Sequence, residues 1–240
     1  MPYPKLEYKY LLPVDRIAAL RRGLLQQMQP DRYALESVDR QYTVRSVYFD
    51  TPRFSAYREK VEGVRIRRKY RIRSYNDHTA GARAFLEIKE KAGNYLTKYR
   101  CGMQVDAIVP LIRSRDFDAH IEKKLGDGIH PDNAGKFFRD YDRKALRPVV
   151  LIVYDREAYT VNGFGDLRVT IDKNLRAVRT TLPEDLYRDG DLRPVMRQHC
   201  ILEVKFTRGV PAWLSTQLER HALRRLALSK YTLSLDSHAQ

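Results

Sequence analysis

Cysteine, metal-spaced histidine and nucleotide-binding loops are scarce or absent in this chain of 240 residues. Its two cysteines, Cys101 and Cys200, lie far apart and form no Cys-x-x-Cys motif. We therefore expect two reduced, apolar side chains rather than a disulfide or a zinc site. The six histidines show no His-Glu-x-x-His spacing, and no Gly-x-x-x-x-Gly-Lys-Ser/Thr segment is present. These absences argue against a zinc hydrolase and against a P-loop enzyme.

Long apolar segments are also lacking. The longest strongly apolar run covers residues 149–153, far short of the roughly 20 residues of a membrane-spanning helix. The first five residues contain no apolar core of a signal peptide. We expect a soluble, cytoplasmic protein. Because no repeat, low-complexity tract or Gly/Ser linker divides the chain, we also expect a single domain over residues 1–240.

Positive charge is what the chain has in excess. It contains 45 Lys and Arg against 30 Asp and Glu, for a formal charge of +15. A surplus of this size implies an anionic partner, which charge alone leaves open between nucleic acid, a membrane surface and the phosphates of polyphosphate or a nucleotide. Since 43% of the residues are hydrophobic, the charge is carried on a folded chain.

Alternation with period two predicts a β-rich fold. The strand-like segments cover residues 6–11, 44–49, 63–74, 83–91, 96–105, 149–160, 167–172 and 200–207. Apolar residues at helical spacing predict helices over 15–28, 115–125, 133–141 and 211–226. Many strands joined by short turns indicate an α+β fold, in which an antiparallel sheet closes or nearly closes into a barrel.

Charged side chains share one face of most predicted strands. Successive side chains of a strand point to opposite faces. On one strand the cationic face holds Arg65, Arg67, Lys69, Arg71 and Arg73, while Arg68 interrupts the apolar face. The pattern Glu-x-Lys recurs on three strands, at Glu7–Lys9, Glu87–Lys89 and Glu203–Lys205. Such faces are either the solvated outside of a sandwich or the lining of a charged tunnel with helices packed outside.

The tunnel explains the composition of these faces better. They consist mainly of Arg, Lys and Glu, whereas a solvated face usually includes Ser, Thr, Gln and Asn as well. A charged interior needs water, metal and a polyanion, because unpaired buried charge is costly. A phosphate chain fits Arg and Lys, and the Glu side chains then serve as ligands for a hard divalent cation that bridges phosphate oxygens.

Nine segments in order give the chain a family resemblance. It resembles the polyphosphate polymerase domain of the vacuolar transporter chaperone (VTC) family, within the triphosphate tunnel metalloenzyme, or CYTH-like, superfamily. The segments are Glu7-Tyr-Lys-Tyr-Leu, Ser46-Val-Tyr-Phe-Asp-Thr-Pro, Arg65-Ile-Arg-Arg-Lys-Tyr, Leu86-Glu-Ile-Lys, Lys98-Tyr-Arg, Tyr154-Asp-Arg-Glu-Ala-Tyr, Leu167-Arg-Val-Thr-Ile-Asp, Leu202-Glu-Val-Lys-Phe and Ser229-Lys-Tyr. The resemblance implies transfer of the γ-phosphoryl group of ATP to a growing polyphosphate chain, with Mn²⁺ or Mg²⁺.

The resemblance also implies roles for individual residues. The residues predicted to be catalytic are Lys9, Arg65, Arg67, Lys89, Arg156 and Arg168. Phosphate contacts are predicted for Lys98 and Lys230, and also for Lys69, Arg100 and Lys205, which share the charged faces. Glu203 is the predicted metal ligand, with Glu7 and Glu87 as weaker candidates. ATP and polyphosphate are the expected partners, without specific binding of nucleic acid; membrane-associated partner proteins are left open.

Two departures from the family pattern bear on the reaction. The hydrolase branch opens with Glu-x-Glu-x-Lys, but Lys5 stands here in place of the first Glu. The loss of one carboxylate weakens the case for a second metal that activates water, which favours the polymerase over a tripolyphosphatase or nucleoside triphosphatase. The Lys that often precedes Ser-Lys-Tyr is also absent, and Arg224 and Arg225 are the nearest cations. A non-catalytic polyphosphate-binding module is the remaining alternative.

Overall fold

The structure, a computed structural model, describes residues 6–93, 95–122, 130–161 and 167–238. By its internal contacts the chain forms two compact units. The first unit comprises residues 1–43, 154–175 and 194–229, and the second comprises 44–153, 176–193 and 230–240. Over the described ranges, none of the helices has both the length and the apolar character needed to cross a bilayer.

The secondary structure of the described residues is mostly strand. The strands are β1 (Leu6–Pro13), β2 (Gln29–Pro30), β3 (Tyr42–Asp50), β4 (Ile66–Tyr75), β5 (Arg83–Ala92), β6 (Tyr95–Gln104), β7 (Arg147–Thr160), β8 (Arg168–Arg179), β9 (Arg193–Pro194) and β10 (His199–Phe206). The helices are α1 (Ile17–Leu25), α2 (Arg32–Leu35), α3 (Ser55–Val61), α4 (Ile108–Ser114), α5 (Phe117–His120), α6 (Asn133–Arg143), α7 (Ala212–Arg220) and α8 (Lys230–Asp236).

The first unit packs two helices on one face of its strands. Its strands follow the order β1, β10, β8 and β7, and the pairs β1–β10 and β10–β8 are antiparallel. Buried Leu20 of α1 and Leu214 of α7 belong to the same apolar cluster as Leu202 and Val204 of β10. The alternate side chains of β1 and β10 are charged, so burial of the apolar face fixes the register that presents those charges on the other face.

The second unit is built in the same way. Its strands follow the order β7, β3, β4, β5 and β6, and β3 to β6 pair in antiparallel fashion. Ile72 of β4 and Leu86 of β5 pack in one apolar cluster with Leu111 of α4 and with Phe137 and Phe138 of α6. Most charged residues of these strands again occupy the face opposite α4 and α6. Arg68 and Glu90 are exceptions, because Arg68 contacts both Glu90 and Asp140 of α6.

These features confirm the predicted α+β class, with an antiparallel sheet and helices on the apolar faces. Each of the eight predicted strands is present, although β4 begins at Ile66 and β8 continues to Arg179. Of the helix predicted over 115–125, only Phe117–His120 is helical, and residues 123–125 lie outside the described part of the chain. Helices α2, α3, α4 and α8 were not predicted.

Both cysteines are buried and free. Cys101 packs in the apolar cluster of the second unit and Cys200 in that of the first. Burial raises the pKa of each thiol to about 12. Both side chains are therefore protonated packing residues, as expected from their sparse use.

Candidate functional site

The second unit carries a row of lysines on its charged face. Lys69 of β4 pairs with Lys89 of β5, which in turn pairs with Lys98 of β6. Like charges directly opposite each other destabilise a sheet. An anion bound along this row of three lysines would relieve that repulsion.

Glu87 lies in the next row, between Arg71 and Arg100. Its carboxylate is 2.5 Å from Nη2 of Arg71, 2.9 Å from Nε of Arg100 and 3.7 Å from Nζ of Lys98. Only 1% of Glu87 is exposed. Burial opposes ionisation, but the surrounding cations hold the pKa of Glu87 well below its usual range; they are Arg71, Arg73, Lys98 and Arg100. One buried carboxylate thus holds a set of cations in place.

Neutral hydroxyl groups orient the arginines of this face. Nε of Arg73 donates to Oγ of Ser46 at 3.0 Å, and Nη1 of Arg71 donates to the Tyr48 hydroxyl at 2.7 Å. Nη2 of Arg100 donates to the hydroxyl of Tyr75 at 2.8 Å. A neutral acceptor fixes a guanidinium group without cancelling its charge, which suits a site for a multiply charged anion.

Two groups on this face titrate near neutral pH. Although 48% of the Lys98 side chain is exposed, partial burial lowers the pKa of its ammonium to about 8, helped by nearby Arg100 and opposed by Glu87. Burial would raise the pKa of the Tyr75 phenol, but Arg73 and Arg100 outweigh it and lower that pKa to about 8. Since each group influences the other, their protons are lost as a coupled pair.

We expect the affinity for tripolyphosphate to fall as the pH rises through about 8. Above that pH Lys98 loses its positive charge and Tyr75 gains a negative one, so both changes weaken the binding of an anion. Calorimetric titrations on either side of this pH measure the effect. The double variant Lys98→Arg, Tyr75→Phe keeps the cation and removes the phenol, and should show a smaller fall. An equal fall in both proteins would show that Lys98 and Tyr75 do not cause it.

Arg65 and Arg67, the two arginines of this face that are predicted to be catalytic, lie before β4 and at its start. Arg65 precedes β4 and is exposed, and Nη1 of Arg67 donates to the carbonyl oxygen of Val64 at 2.7 Å. Arg71 and Arg73 belong to the same cationic face, but the resemblance assigned them no role. They lie beside Glu87, and Arg73 is only 7% exposed. The geometry favours Arg71 and Arg73 for contact with a bound phosphate.

Lys230 also belongs to the second unit and is buried at the start of α8. Burial would raise the pKa of the Tyr48 phenol, but Arg71, Arg73 and Lys230 together lower it. The ring of Tyr48 stacks on Tyr231 at 5.3 Å between centroids. Lys230 therefore adds its charge to the arginine set, as its predicted phosphate contact requires.

The first unit has a charged face of different composition. Glu7 pairs with Lys205 and Lys9 pairs with Glu203 along β1 and β10. Nζ of Lys9 is 3.2 Å from both carboxylates, and Nζ of Lys205 is 3.6 Å from both. Burial would lower the pKa of Lys9, but Glu203 and Glu7 outweigh it and raise that pKa above its usual range. Positive and negative charges alternate here instead of accumulating.

The two predicted arginines of the first unit contact carboxylates. Arg156 donates to both oxygens of Asp172, at 2.6 and 2.8 Å, and its Nη2 is 3.6 Å from Glu203. Arg168 donates to Oδ2 of Asp31 at 2.7 Å. The structure therefore brings Arg156 close to Glu203. The Arg168 guanidinium instead binds Asp31, which caps the start of α2.

Glu7 and Glu203 have the chemistry of a site for a hard divalent cation, which takes oxygen ligands. Within the described ranges, no group of three or more His, Cys, Asp and Glu side chains is arranged to hold a metal. Lys9 and Lys205 already contact both carboxylates. A divalent cation held there would need phosphate oxygens and water to complete its coordination, and this metal site stays a prediction. Glu87, the third predicted ligand, is surrounded by cations, and its role as a metal ligand stays a prediction.

Comparison with known proteins identifies the family. The VTC domain family matches this chain over residues 5–238. The structure of the putative adenylyl cyclase HpAC1 from Hippeastrum, described as revealing a dominant triphosphatase activity, is similar with a TM-score of 0.52 and 14% identity, over 97% of this chain and 95% of that chain. The PH1819 protein from Pyrococcus horikoshii OT3 gives a TM-score of 0.48 at 14% identity, over 97% of this chain and 98% of that one.

At this identity the likeness to HpAC1 concerns the fold alone. The family match is a match of the sequence itself. It spans almost the entire chain and includes the strands of both charged faces. It agrees with the nine ordered segments that first suggested the relationship. The chain therefore belongs to the VTC domain family.

Proposed function

We propose that this protein is a metal-dependent polyphosphate polymerase that transfers the γ-phosphoryl group of ATP to a growing polyphosphate chain. The row formed by Lys69, Lys89 and Lys98 carries the proposal. Three lysines opposite one another suit a ligand with several regularly spaced negative charges, which is the chemistry of a phosphate chain. Membership of the VTC domain family supports a phosphate-handling enzyme.

The cationic face of the second unit supplies what phosphoryl transfer needs most. The attacking atom is a terminal phosphate oxygen of the acceptor, which is already an anion, so little base catalysis is required. The protein must align the two phosphates and neutralise the charge on the equatorial oxygens. Arg71, Arg73 and Arg100 are oriented for this by hydroxyl acceptors, and Lys98 adds a further positive charge on the same face.

Two carboxylates of the first unit are the proposed metal ligands. Glu203 and Glu7 are the residues that would hold Mn²⁺ or Mg²⁺, and the bound cation would neutralise charge on the phosphate oxygens. Lys9 lies between the two carboxylates and fixes their orientation. Arg156 is held by Asp172 and presents its Nη2 toward Glu203. These contacts keep the acidic pair in one geometry before any ligand arrives.

Incubation with ATP and Mn²⁺, followed by gel electrophoresis, tests the function. Long chains are the expected product and support the polymerase. If only phosphate and diphosphate form, the tripolyphosphatase alternative is correct. Lys5, the departure that argues against it, lies outside the described residues. Tight binding of tripolyphosphate without turnover of any triphosphate would identify a binding module instead.

ATP and polyphosphate are the proposed partners, without specific binding of nucleic acid. Competition between short single-stranded DNA and tripolyphosphate decides this point. Nucleic acid would be preferred if the charges formed an exposed stripe with accessible aromatic side chains. A reducing, cytoplasmic location belongs to the same proposal, because Cys101 and Cys200 are free thiols. Much tighter binding of DNA than of tripolyphosphate would contradict the proposal.

A further inference from the structure

Tyr231, the second residue of α8, ties the start of this helix to a buried carboxylate of the second unit. Its hydroxyl group donates to Oδ2 of Asp50 at 2.5 Å, and Asp50 is fully buried at the end of β3. Three backbone amides hold the same carboxylate. Those of Thr51 and Ala56 donate to Oδ1, and that of Tyr57 donates to Oδ2. The acceptor of the Tyr231 hydroxyl is therefore fixed by β3 and by the first turn of α3.

The bond between Tyr231 and Asp50 is of a strong kind. Burial raises the pKa of the Tyr231 phenol above its usual range, and the negative charge of Asp50 raises it further. The phenol therefore stays protonated and remains a donor over the whole neutral range of pH. Hydrogen bonds from a neutral donor to a buried carboxylate are shorter and stronger than those between two neutral groups.

Cationic residues of the charged face lie around the ring of Tyr231. The ring stacks on Tyr48, whose hydroxyl accepts a bond from Nη1 of Arg71. Nζ of Lys69 lies 5.8 Å from the centroid of the Tyr231 ring. Lys230, the preceding residue, is 7% exposed and acts electrostatically on the Tyr48 phenol. The bond to Asp50 thus holds a side chain that contacts the charged face on one side and adjoins Lys230 on the other.

We propose that Tyr231 is a positioning residue, whose bond to Asp50 holds the ammonium group of Lys230 at the phosphate site. This role rests on the proposed function, because it assumes that Lys230 contacts phosphate. Lys230 shares the surroundings of Tyr48 with Arg71 and Arg73, and like charges repel one another. Since adjacent residues of a helix move together, the Tyr231 bond opposes a displacement of Lys230 away from the two arginines.

Tyr231→Phe removes the hydroxyl group and keeps the ring that stacks on Tyr48. Calorimetric titration with tripolyphosphate, without metal and below the melting temperature of every variant, measures the effect. We expect the affinity to fall by roughly tenfold, on the order of one lost hydrogen bond to a charged group. Tyr57→Phe is the matched control, because the Tyr57 hydroxyl donates to Asp236 at the exposed end of α8. This control should bind tripolyphosphate like the wild type.

A double-mutant cycle separates positioning from stability. Lys230→Met removes the ammonium group and should itself weaken tripolyphosphate binding by roughly tenfold or more. If Tyr231 acts through Lys230, the double variant Lys230→Met, Tyr231→Phe should bind tripolyphosphate no more weakly than Lys230→Met alone. A bond that only stabilises the fold would lower the melting temperature without this coupling in affinity.

Three results would overturn the role of Tyr231. They are an unchanged tripolyphosphate affinity in Tyr231→Phe, an equal loss from Tyr231→Phe with and without Lys230, and an unchanged affinity in Lys230→Met. None of them contradicts the proposed reaction, which is judged by the polyphosphate formed from ATP and Mn²⁺. A wild type that formed no polyphosphate but showed the expected coupling would refute the reaction and keep the positioning role. A wild type that did not bind tripolyphosphate would refute both.

Discussion

Arg73→Ala is expected to reduce phosphoryl transfer by roughly a hundredfold or more, the usual cost of one lost charge contact to a transition state. Arg73 is buried, oriented by Ser46 and close enough to Glu87 to lower its pKa. Its charge acts in a poorly solvated place, where electrostatic interactions are strong. Initial rates with ATP and Mn²⁺, together with tripolyphosphate affinity, measure the loss.

Arg65→Ala is the matched control for this prediction. It removes the same side chain from the same cationic face, but from an exposed position before β4 begins. Since exposed charges contribute little to a local interaction, we expect a severalfold effect at most. Melting temperatures check that both variants fold. A larger loss in Arg65→Ala than in Arg73→Ala would support the catalytic role that the resemblance assigns to Arg65.

The contrast between these arginines shows how far the sequence can be interpreted. Alternation placed Arg65, Arg67, Arg71 and Arg73 on one face, and the register of β4 agrees for the three that lie within the strand, Arg67, Arg71 and Arg73. Arg68, which interrupts the apolar side, indeed points away from them and pairs with Glu90 and Asp140. Alternation does not indicate where along the strand burial begins, because this depends on the neighbouring strands.

The cross-strand partners could not be predicted from the sequence either. Alternation predicts that Lys69, Lys89 and Lys98 each lie on the charged face of their own strand. Their alignment in one row depends on the registers of the two hairpins. A shift of two residues in either hairpin would preserve the parity and remove the row.

The helices that were not predicted depend on contacts that periodicity does not reveal. The amides of Ala56 and Tyr57, at the start of α3, donate to the carboxylate of Asp50, which also accepts a bond from the Tyr231 hydroxyl. Asp50 is fully buried. Helix α3 is short and buries only Ala56, so its stability comes from this capping carboxylate more than from an apolar stripe.

The two charged faces differ in a way that composition alone conceals. On the second unit, cations surround the buried carboxylate of Glu87. On the first unit, Glu7 and Glu203 alternate with Lys9 and Lys205. An excess of cations favours a polyanion, whereas a balanced face with two convergent carboxylates retains the option of a metal ion. Substitutions on the two faces should therefore have different signatures.

Glu203→Gln is expected to abolish most of the response to Mn²⁺ while leaving phosphate binding intact. Glutamine keeps the shape of the side chain but removes the negative charge that a divalent cation requires, so the Mn²⁺ concentration for half-maximal activity should rise by roughly a hundredfold. Tripolyphosphate should bind as well as before or more tightly, because the face becomes more positive. Activity against Mn²⁺ concentration and metal-free calorimetry measure the two effects.

Glu157→Gln supplies the structural control on the same unit. Glu157 is also buried, and although burial opposes it, hydrogen bonds from Arg21, Lys173 and Tyr159 lower its pKa to about 2. A carboxyl with a depressed pKa stabilises the fold above its unfolded pKa and loses that contribution as the pH falls toward about 2. Its replacement should therefore cost about 3–5 kcal/mol of stability at neutral pH, without changing the Mn²⁺ response. If Glu203→Gln behaved like Glu157→Gln, with a lowered melting temperature and an unaltered Mn²⁺ curve, Glu203 would be a structural ion-pair residue rather than a metal ligand.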